Sequence, residues 1–592
     1  MSKENILVSV AWPYANSDIH QGNVTGSYLP ADIYARYHRL QGNKVLMVSG
    51  SDSHGTPVTV EAENLNQTPE EVFTHYHARF LQLFQKMGLS YDLFTHTDTE
   101  NHHKVSQDLF LSLLENEYLY RKTTPQMYSP ITNKFLPDRY VEGTCPVCGY
   151  DHARGDQCDN CNTLFQSAAE LINPRSKNDD TALELRDTEH YFLDLPALAD
   201  DGLSDWLNSD DKAHWRPQVI NFARNFVDQG LIGRAVTRDM TWGISVPVDG
   251  FEGKVLYVWF EAVIGYLSAS IEWAKNSGNP DAWREWWQNP AARTVYFIGK
   301  DNIPFHAIFW PAQLLGAKGL YSDEHQAHLN LPYDVPANEF MNMEGRKISG
   351  SRKWAVWMLD ALERYDPDPL RYYLTVAMPE ARDSDWSWQG FVDRNNKELV
   401  ANWGNLVNRV LNMHKRYFKA VVPDPGELSA RDTQLLAAID AGFDSVAALY
   451  DGCKFRAAVQ ECLRLSTLVN QYLEETSPWT TANNDIEATA RSIYTAIQAI
   501  SGLKILWAPI LPFSSQQLHI MLGEAGELFG EQVVETYAET TRSHAGLTYK
   551  GATAVGTWQR SEIPIGRKLP NPKPLFKRLD DTVVQEELNR LG

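Results

Sequence analysis

The chain has 592 residues, 43% of them hydrophobic and 22% charged, the balance of a soluble globular protein with room for roughly three to five domains. A net charge of −21 argues against a nonspecific nucleic-acid coat, but not against a particular RNA held on local basic patches. No apolar run approaches the roughly 18 residues needed to cross a bilayer and no secretory signal opens the chain, so a cytoplasmic location is expected.

Ile6, Leu7, Val8 and Val10 read as a strand buried on both faces of a parallel sheet. Pro13 ends it, Asn16, Ser17 and Asp18 favour a turn, and a helix is predicted from Gly22 to about His38. His20-Gln21-Gly22-Asn23 then sits at a helix N-terminus, where free N–H groups and the helix dipole favour a phosphate chain. On its own so short a motif is more often a capped turn.

Val45 to Val48 reads as a second buried strand, and Gly50 to Pro57, GSDSHGTP, as a polar loop at its C-terminal end. Doubly wound sheets bind ligands at that edge, and Asp52 could take an ammonium or a ribose hydroxyl there. From Thr68 to Leu119 the spacing of Val72, Phe80, Leu83 and Met87 predicts two or three amphipathic helices. Two CxxC knuckles follow, Cys145 with Cys148 and Cys158 with Cys161. Four thiolates at this spacing suit one tetrahedral zinc ion with no open position, hence a structural site. Cys453 and Cys462 fall in a helical stretch and read as core residues.

Asn173 to Asp210 is charged and reads as loop rather than sheet. Lys254 to Glu261 reads as a strand running into a helix that ends near Trp273. Thr294 to Asp301 is a further buried strand, followed by a helix holding His306, so a parallel sheet is expected to resume after an insertion. Met343 to Trp354 is a glycine-flanked loop with Arg346, Lys347, Arg352 and Lys353, able to close on a polyphosphate. From Phe391 to about Met521 a period of 3.6 predicts a bundle of about five helices, before a proline-rich tail and a short last helix near Val583 to Leu591.

The order of these pieces resembles the class I aminoacyl-tRNA synthetases, and among them the methionyl-tRNA synthetases. The marks are AWPYAN at Ala11 to Asn16, GSDSHGTP, the zinc knuckle, TWGISVP at Thr241 to Pro247, YVWFEAVIGY at Tyr257 to Tyr266 and FIGKDNIPFHAIFWPA at Phe297 to Ala312. The resemblance implies an α/β fold: a Rossmann-type parallel-sheet catalytic domain split by a zinc-knuckle insertion, then an α-helical anticodon-binding bundle. The expected divisions are residues 1–116 and 231–330 for the two catalytic halves, 117–230 for the insertion with its knuckle at 145–161, 331–390 for a stem-contact region with the KISGS loop, 391–550 for the anticodon domain and 551–592 for the tail.

The implied reaction is activation of L-methionine by ATP with Mg²⁺, then transfer to the 3′ end of methionine tRNA. His20 and Asn23 match the HIGH signature, and Lys347 to Ser351 the KMSKS loop. ATP contacts are implied for His20, Gly22, Asn23, Gly299, Lys300, Asp301, Lys347, Ser349 and Ser351, and methionine contacts for Trp12, Tyr14, Asp52, Trp259, Val263, Tyr266 and His306. Asn405, Arg409 and Trp479 match positions that read the anticodon. Three positions depart from the family pattern. Asn23 replaces the second histidine, Gly350 replaces the second lysine of the loop so that the charge meeting the pyrophosphate must come from Lys347, Arg352 or Lys353, with Arg352 the one expected, and Trp12 replaces a smaller aliphatic residue. With no appended dimerising domain in view, a monomer is expected.

Overall fold

The computed structural model describes residues 3–591, apart from 137–139, 156, 157, 159, 162, 164, 166, 167, 178, 351 and 352. Strand β1 (Asn5–Val10) passes through the first signature loop into a helical run that opens at Gln21, close to the predicted start at Gly22. The run continues through a π-helical stretch at Val24–Tyr28 as helix α1 (Leu29–Leu40), before strand β2 (Lys44–Ser51). Helices α2 (Thr56–Leu65) and α3 (Pro69–Met87), strand β3 (Leu93–His96) and helix α4 (Glu100–Glu115) complete the first half. Alternate residues of β1 feed different clusters, Ile6, Val8 and Val10 on one face and Leu7 on the other. That is why the strand is apolar throughout rather than alternating. The expected helices from Thr68 to Leu119 are present, but β3 lies between them; four residues are too few for a periodicity to register.

The insertion begins with β4 (Leu119–Ser129) and returns along β5 (Glu184–Leu193) as a long antiparallel ribbon, carrying the knuckle and its own small sheet at the far end. This corrects the loop reading of Asn173 to Asp210. Residues such as Glu184, Arg186 and Asp187 are charged because both faces of the ribbon meet solvent, so neither apolar alternation nor a buried run marks the strand.

The sheet resumes after helix α5 (Gly265–Asn276) with β6 (Arg293–Gly299) and β7 (Ala337–Asn338). The strand expected at Lys254 to Glu261 is shorter than anticipated. Only Val255–Leu256 is extended, paired with Thr237–Arg238 outside the main sheet, and Val258–Glu261 is already helical. A small three-stranded sheet then forms from β8 (Met341–Met343), β9 (Arg346–Lys347) and, beyond helix α6 (Pro367–Val376), β10 (Ser384–Trp386).

The bundle consists of α7 (Asn405–Phe418), α8 (Ala430–Asp451), α9 (Phe455–Thr476), α10 (Ile486–Trp507) and α11 (Pro512–Met521). Its core is continuous with that on one face of the sheet. The helical period ends at α11, as expected near Met521, and within the span to residue 550 assigned to the same domain the chain then forms a hairpin of β11 (Glu531–Ala538) and β12 (Ser543–Lys550). The main sheet has the order β7-β6-β1-β2-β3-β12-β11; the first five strands are parallel and the hairpin closes one edge antiparallel. No helix among the described residues is long and apolar enough to cross a membrane.

Arg371 of α6 joins three parts of the chain. Fully buried, it donates to Asp32 of α1 at 2.6 Å, to Met87 O at the end of α3 at 3.1 Å, and to Pro509 O and Ile510 O beside the bundle at 2.9 Å. Asp32 also accepts from Arg36 at 2.9 Å. Removing one partner from so buried a pair destabilises by about 3–5 kcal/mol, because the other charge stays uncompensated.

Candidate active site

The loops that follow β1 and β2 are zipped together by main-chain hydrogen bonds. The N–H of Asp52 donates to Pro13 O at 2.8 Å, and that of Ala15 to Asp52 O at 2.9 Å. Trp12, Tyr14 and Asp52 thereby share one wall of a cavity of about 430 Å³, which Gly299 and Asp301 border from the end of β6. This is the crevice between β1 and β6 where the chain crosses to opposite sides of the sheet.

The two signature loops meet across the same cavity. The N–H of Gln21 donates to Val356 O at 3.1 Å, that of Val356 to Gln21 Oε1 at 2.8 Å, and that of Met358 to Ile19 O at 3.0 Å. Gly22 permits the approach, since a Cβ there would stand 2.9 Å from Ile348 Cδ1. His20, Gly22 and Asn23 line one side and Lys347 and Ile348 the other.

His20 is the N-cap of the helical run that opens at Gln21–Asn23. Its Nδ1 accepts from the Asn23 N–H at 3.3 Å, and its own N–H donates to Asn23 Oδ1 at 3.1 Å. Nδ1 is therefore unprotonated in the neutral ring, which leaves Nε2–H as the donor. Burial pushes the imidazole down to about 4. At neutral pH His20 is an uncharged donor, and the carbonyl of Asn23's side chain is engaged in the cap rather than offered to a ligand.

The apolar end of the cavity combines Trp12, Trp259, Val263, Tyr266, Phe305 and His306. Trp259 and Phe305 lie 4.1 Å apart between ring centroids. Nδ1 of His306 faces Asn302 O at 2.9 Å and must donate to it, so Nε2 accepts the Tyr266 hydroxyl at 2.7 Å. Burial holds the His306 imidazole down at about 4. These walls are polarisable and uncharged, which suits an unbranched thioether. The indole of Trp12 fits because two glycines stand against it. A Cβ at Gly50 would lie 2.1 Å from its Cζ3, and one at Gly265 would lie 2.6 Å from its Cε2.

Behind Asp52 lies a buried charge network absent from the sequence reading. The His54 N–H donates to Asp52 Oδ1 at 3.4 Å, and the His54 ring is held by Glu261 Oε1 at 2.9 Å and Asp98 Oδ1 at 3.6 Å. His102 contacts the other Glu261 oxygen at 2.7 Å. Burial disfavours the His54 cation, yet Glu261 and Asp98 outweigh it and raise the imidazole to about 10. Asp52 is pushed well above the usual carboxylate range, by burial first and by Glu261 next. His54, Asp98 and His103 bring ligand atoms within 4.8 Å of one another, but the cation on Asp98 is already supplied by the guanidinium of Arg542 at 2.8 Å.

Not every expected contact points inward. The ammonium of Lys300 is turned to Glu339 at 2.6 Å and Asp383 at 2.9 Å, and it is Glu339 that borders the cavity. Ser349 exchanges main-chain hydrogen bonds with Trp354 at 3.0 and 2.9 Å and does not line the cavity. Ser351 and Arg352 lie outside the described residues. Glu339, Asn302 and Phe305 were not anticipated, and an isolated glutamate or asparagine in a loop gives no signal of its own.

Away from the cavity, the four knuckle thiols converge. Sγ of Cys145 lies 3.8 Å from that of Cys161, and Cys148 3.6 Å from Cys158, with all four within 4.8 Å of one another. A disulfide needs about 2.05 Å, whereas tetrahedral Zn–S bonds of about 2.3 Å set sulfurs roughly 3.8 Å apart. In the bundle, Arg409 lies over the half-buried Trp479 ring at 5.2 Å and pairs with Glu474 at 2.7 Å. Asn405 is exposed one helical turn before Arg409, so all three share one surface.

A profile of class I tRNA synthetases (M) matches residues 6–411, and one of the anticodon binding domain of methionyl tRNA ligase matches residues 422–549. The chain belongs to the methionyl-tRNA synthetase family. Among relatives of that family, Methionine--tRNA ligase of Thermomicrobium roseum is 53% identical over 590 residues, covering 99% of each chain. That of Roseiflexus castenholzii is 51% identical over 596 residues, again covering 99% of each. A solved Mycobacterium tuberculosis methionyl-tRNA synthetase in complex with methionyl-adenylate has the same fold, with a TM-score of 0.74 at 24% identity over 97% of this chain and 100% of that one. The family's signature residues His20, Gly22, Asn23 and Lys347 are thus gathered with Trp12, Tyr14, Asp52, Trp259, Val263, Tyr266, His306, Gly299 and Asp301 around one space.

Proposed function

We infer that this chain is a methionine–tRNA ligase, activating L-methionine with ATP to methionyl-adenylate and pyrophosphate and then transferring methionine to the 3′ end of tRNA(Met). The observation that carries this reading is a single cavity with an uncharged aromatic end at Trp259, Tyr266 and His306 and an end lined by His20, Asn23 and Lys347 whose donors suit phosphate. The relatives named above act in its favour along the full length of the chain.

In this reading Asp52 takes the α-ammonium, and Tyr14 and Val263 close the pocket around the side chain. Gly299 and Asp301 face the adenosine, with Ser349 and Ser351 as further loop contacts and Lys300 acting through Glu339. The methionine carboxylate attacks the α-phosphate in line; Nε2–H of His20 and the ammonium of Lys347 offset charge as pyrophosphate leaves, and no protein nucleophile takes part. Arg352 supplies the second cation that Gly350 lacks. ATP brings Mg²⁺, which neutralises phosphate charge. Cys145, Cys148, Cys158 and Cys161 hold one structural zinc, and Asn405, Arg409 and Trp479 read the anticodon. The divisions at residues 116, 230, 330, 390 and 550 are retained as functional units of a cytoplasmic monomer, whose mass sedimentation would check.

The test is ATP/pyrophosphate exchange with methionine, leucine, isoleucine, valine or cysteine, followed by charging of tRNA(Met). Exchange is expected with methionine alone. Lys347→Ala is expected to slow it by about 10²-fold, the loss typical of one donor to a developing charge. Exchange with another amino acid, or none at all, would overturn the assignment.

A further inference from the structure

The hairpin β11–β12 follows the helical bundle in the chain, yet it completes the edge of the catalytic sheet. At its turn, Arg542 reaches the loop after β3. Nη1 donates to Asp98 Oδ2 at 2.8 Å, Nη2 donates to the Asp98 carbonyl, and Nε pairs with Glu539 at 3.1 Å. The turn itself is anchored, because the Glu100 carboxylate accepts the N–H groups of Thr540 at 3.0 Å and Thr541 at 3.2 Å. His544 on the next strand contacts Glu272 of α5 at 2.9 Å.

Asp98 is nearly buried, with 9% of its side chain exposed, and it faces the His54 ring, of which 3% is exposed. His54 in turn gives its main-chain N–H to the carboxylate of Asp52 at the cavity wall. A continuous run of contacts, Arg542 to Asp98 to His54 to Asp52, therefore connects the hairpin turn to the pocket. We propose that Arg542 is a positioning residue for amino-acid recognition: by fixing Asp98 it fixes His54, and through His54 the direction in which Asp52 presents its carboxylate to the substrate α-ammonium.

The physical reason lies in how the charges are arranged. Glu261 and Asp98 both face the His54 ring while Asp52 takes its main-chain N–H, so a buried imidazolium can bend toward either ring partner and shift that N–H with it. Arg542 supplies two donors in a rigid fork to Asp98. With Asp98 so held, the ring of His54 is gripped from two directions and its main chain cannot swing away from Asp52. Asp98 Oδ1 is shared, 3.6 Å from His54 and 3.2 Å from His103, so without the fork on Oδ2 the carboxylate can settle on His103 and the grip on His54 loosens. Arg542 touches no substrate.

This inference rests on the reading that Asp52 binds the α-ammonium. The experiment uses the full chain and two competitive inhibitors of methionine-dependent exchange: methioninol, which keeps the ammonium and lacks the carboxylate, and 4-(methylthio)butanoate, which keeps the carboxylate and lacks the ammonium. Arg542→Gln is expected to raise the inhibition constant of methioninol, and KM for methionine, by roughly five- to tenfold, leaving that of 4-(methylthio)butanoate, KM for ATP and kcat within about twofold. Arg542→Lys should restore part of the loss, and Asp98→Asn should reproduce it. Equal weakening of both inhibitors, or of neither, would overturn the proposal, since general loosening of the fold has no reason to distinguish them. Asp52→Asn separates the two claims. If it weakens methioninol while Arg542→Gln does not, only the positioning role fails; if Asp52→Asn itself spares methioninol, the assignment of Asp52 fails and the positioning role with it.

Discussion

The indole of Trp12 occupies space that a side chain at position 50 or 265 would fill, at a position where the resemblance implies a smaller aliphatic residue. Sequence shows the tryptophan but not its partners, because Gly50 and Gly265 lie far away in the chain and glycine has many other uses. Gly265→Ala should push the indole into the cavity, an overpacking worth about 1–3 kcal/mol. The expected result is a KM for methionine raised roughly tenfold, the equivalent of about 1.4 kcal/mol, and a lower melting temperature. The pair Trp12→Leu and Gly265→Ala should recover part of both losses; a double variant no better than the single would show that the glycine answers to something else. His20 was legible as a motif, but its tautomer was not, since only the folded cap with Asn23 fixes which nitrogen holds the proton.

At the scale of elements, β1, its loop and the following helix were readable because each signal is local: an apolar run, turn formers and a glycine within a few tens of residues. The knuckle was readable for the same reason, and its four sulfurs do converge. Treatment with a strong chelator, or Cys148→Ser, is expected to remove about one zinc per chain by metal analysis and to open the knuckle to proteolysis, because a structural zinc contributes its binding energy to folding. A metal-free protein as resistant to protease as the starting material would refute a structural zinc. The ribbon of β4 and β5 was not legible. Its partners are some 60 residues apart, Thr124 facing Thr188, and its exposed faces remove the alternation by which strands are recognised.

Over the whole molecule, the cavity and the surface of Asn405, Arg409 and Trp479 proposed to read the anticodon are carried by different units, the sheet and the bundle, locked together through Arg371 and a shared core. Separate sites predict separable defects. Trp479→Ala is expected to raise KM for tRNA(Met) by roughly tenfold or more, as loss of one stacking face worth about 1–3 kcal/mol implies, while methionine-dependent exchange stays within about twofold. Equal loss in both assays would mean that the bundle variant disturbs the cavity instead.

What the sequence determined by itself was whatever rests on short range: the strand–loop–helix signatures, the two cysteine pairs, the helical period of the bundle, and from their order the family and its reaction. Tertiary structure alone decided how distant segments answer one another. It seated Trp12 against two glycines, turned Lys300 toward Glu339, stitched Gln21 to Val356, and brought Arg542 of a C-terminal hairpin to Asp98 behind the pocket. Side-chain packing and ion pairing depend on distance in space. A one-dimensional pattern holds no record of that distance until the sheet order is known.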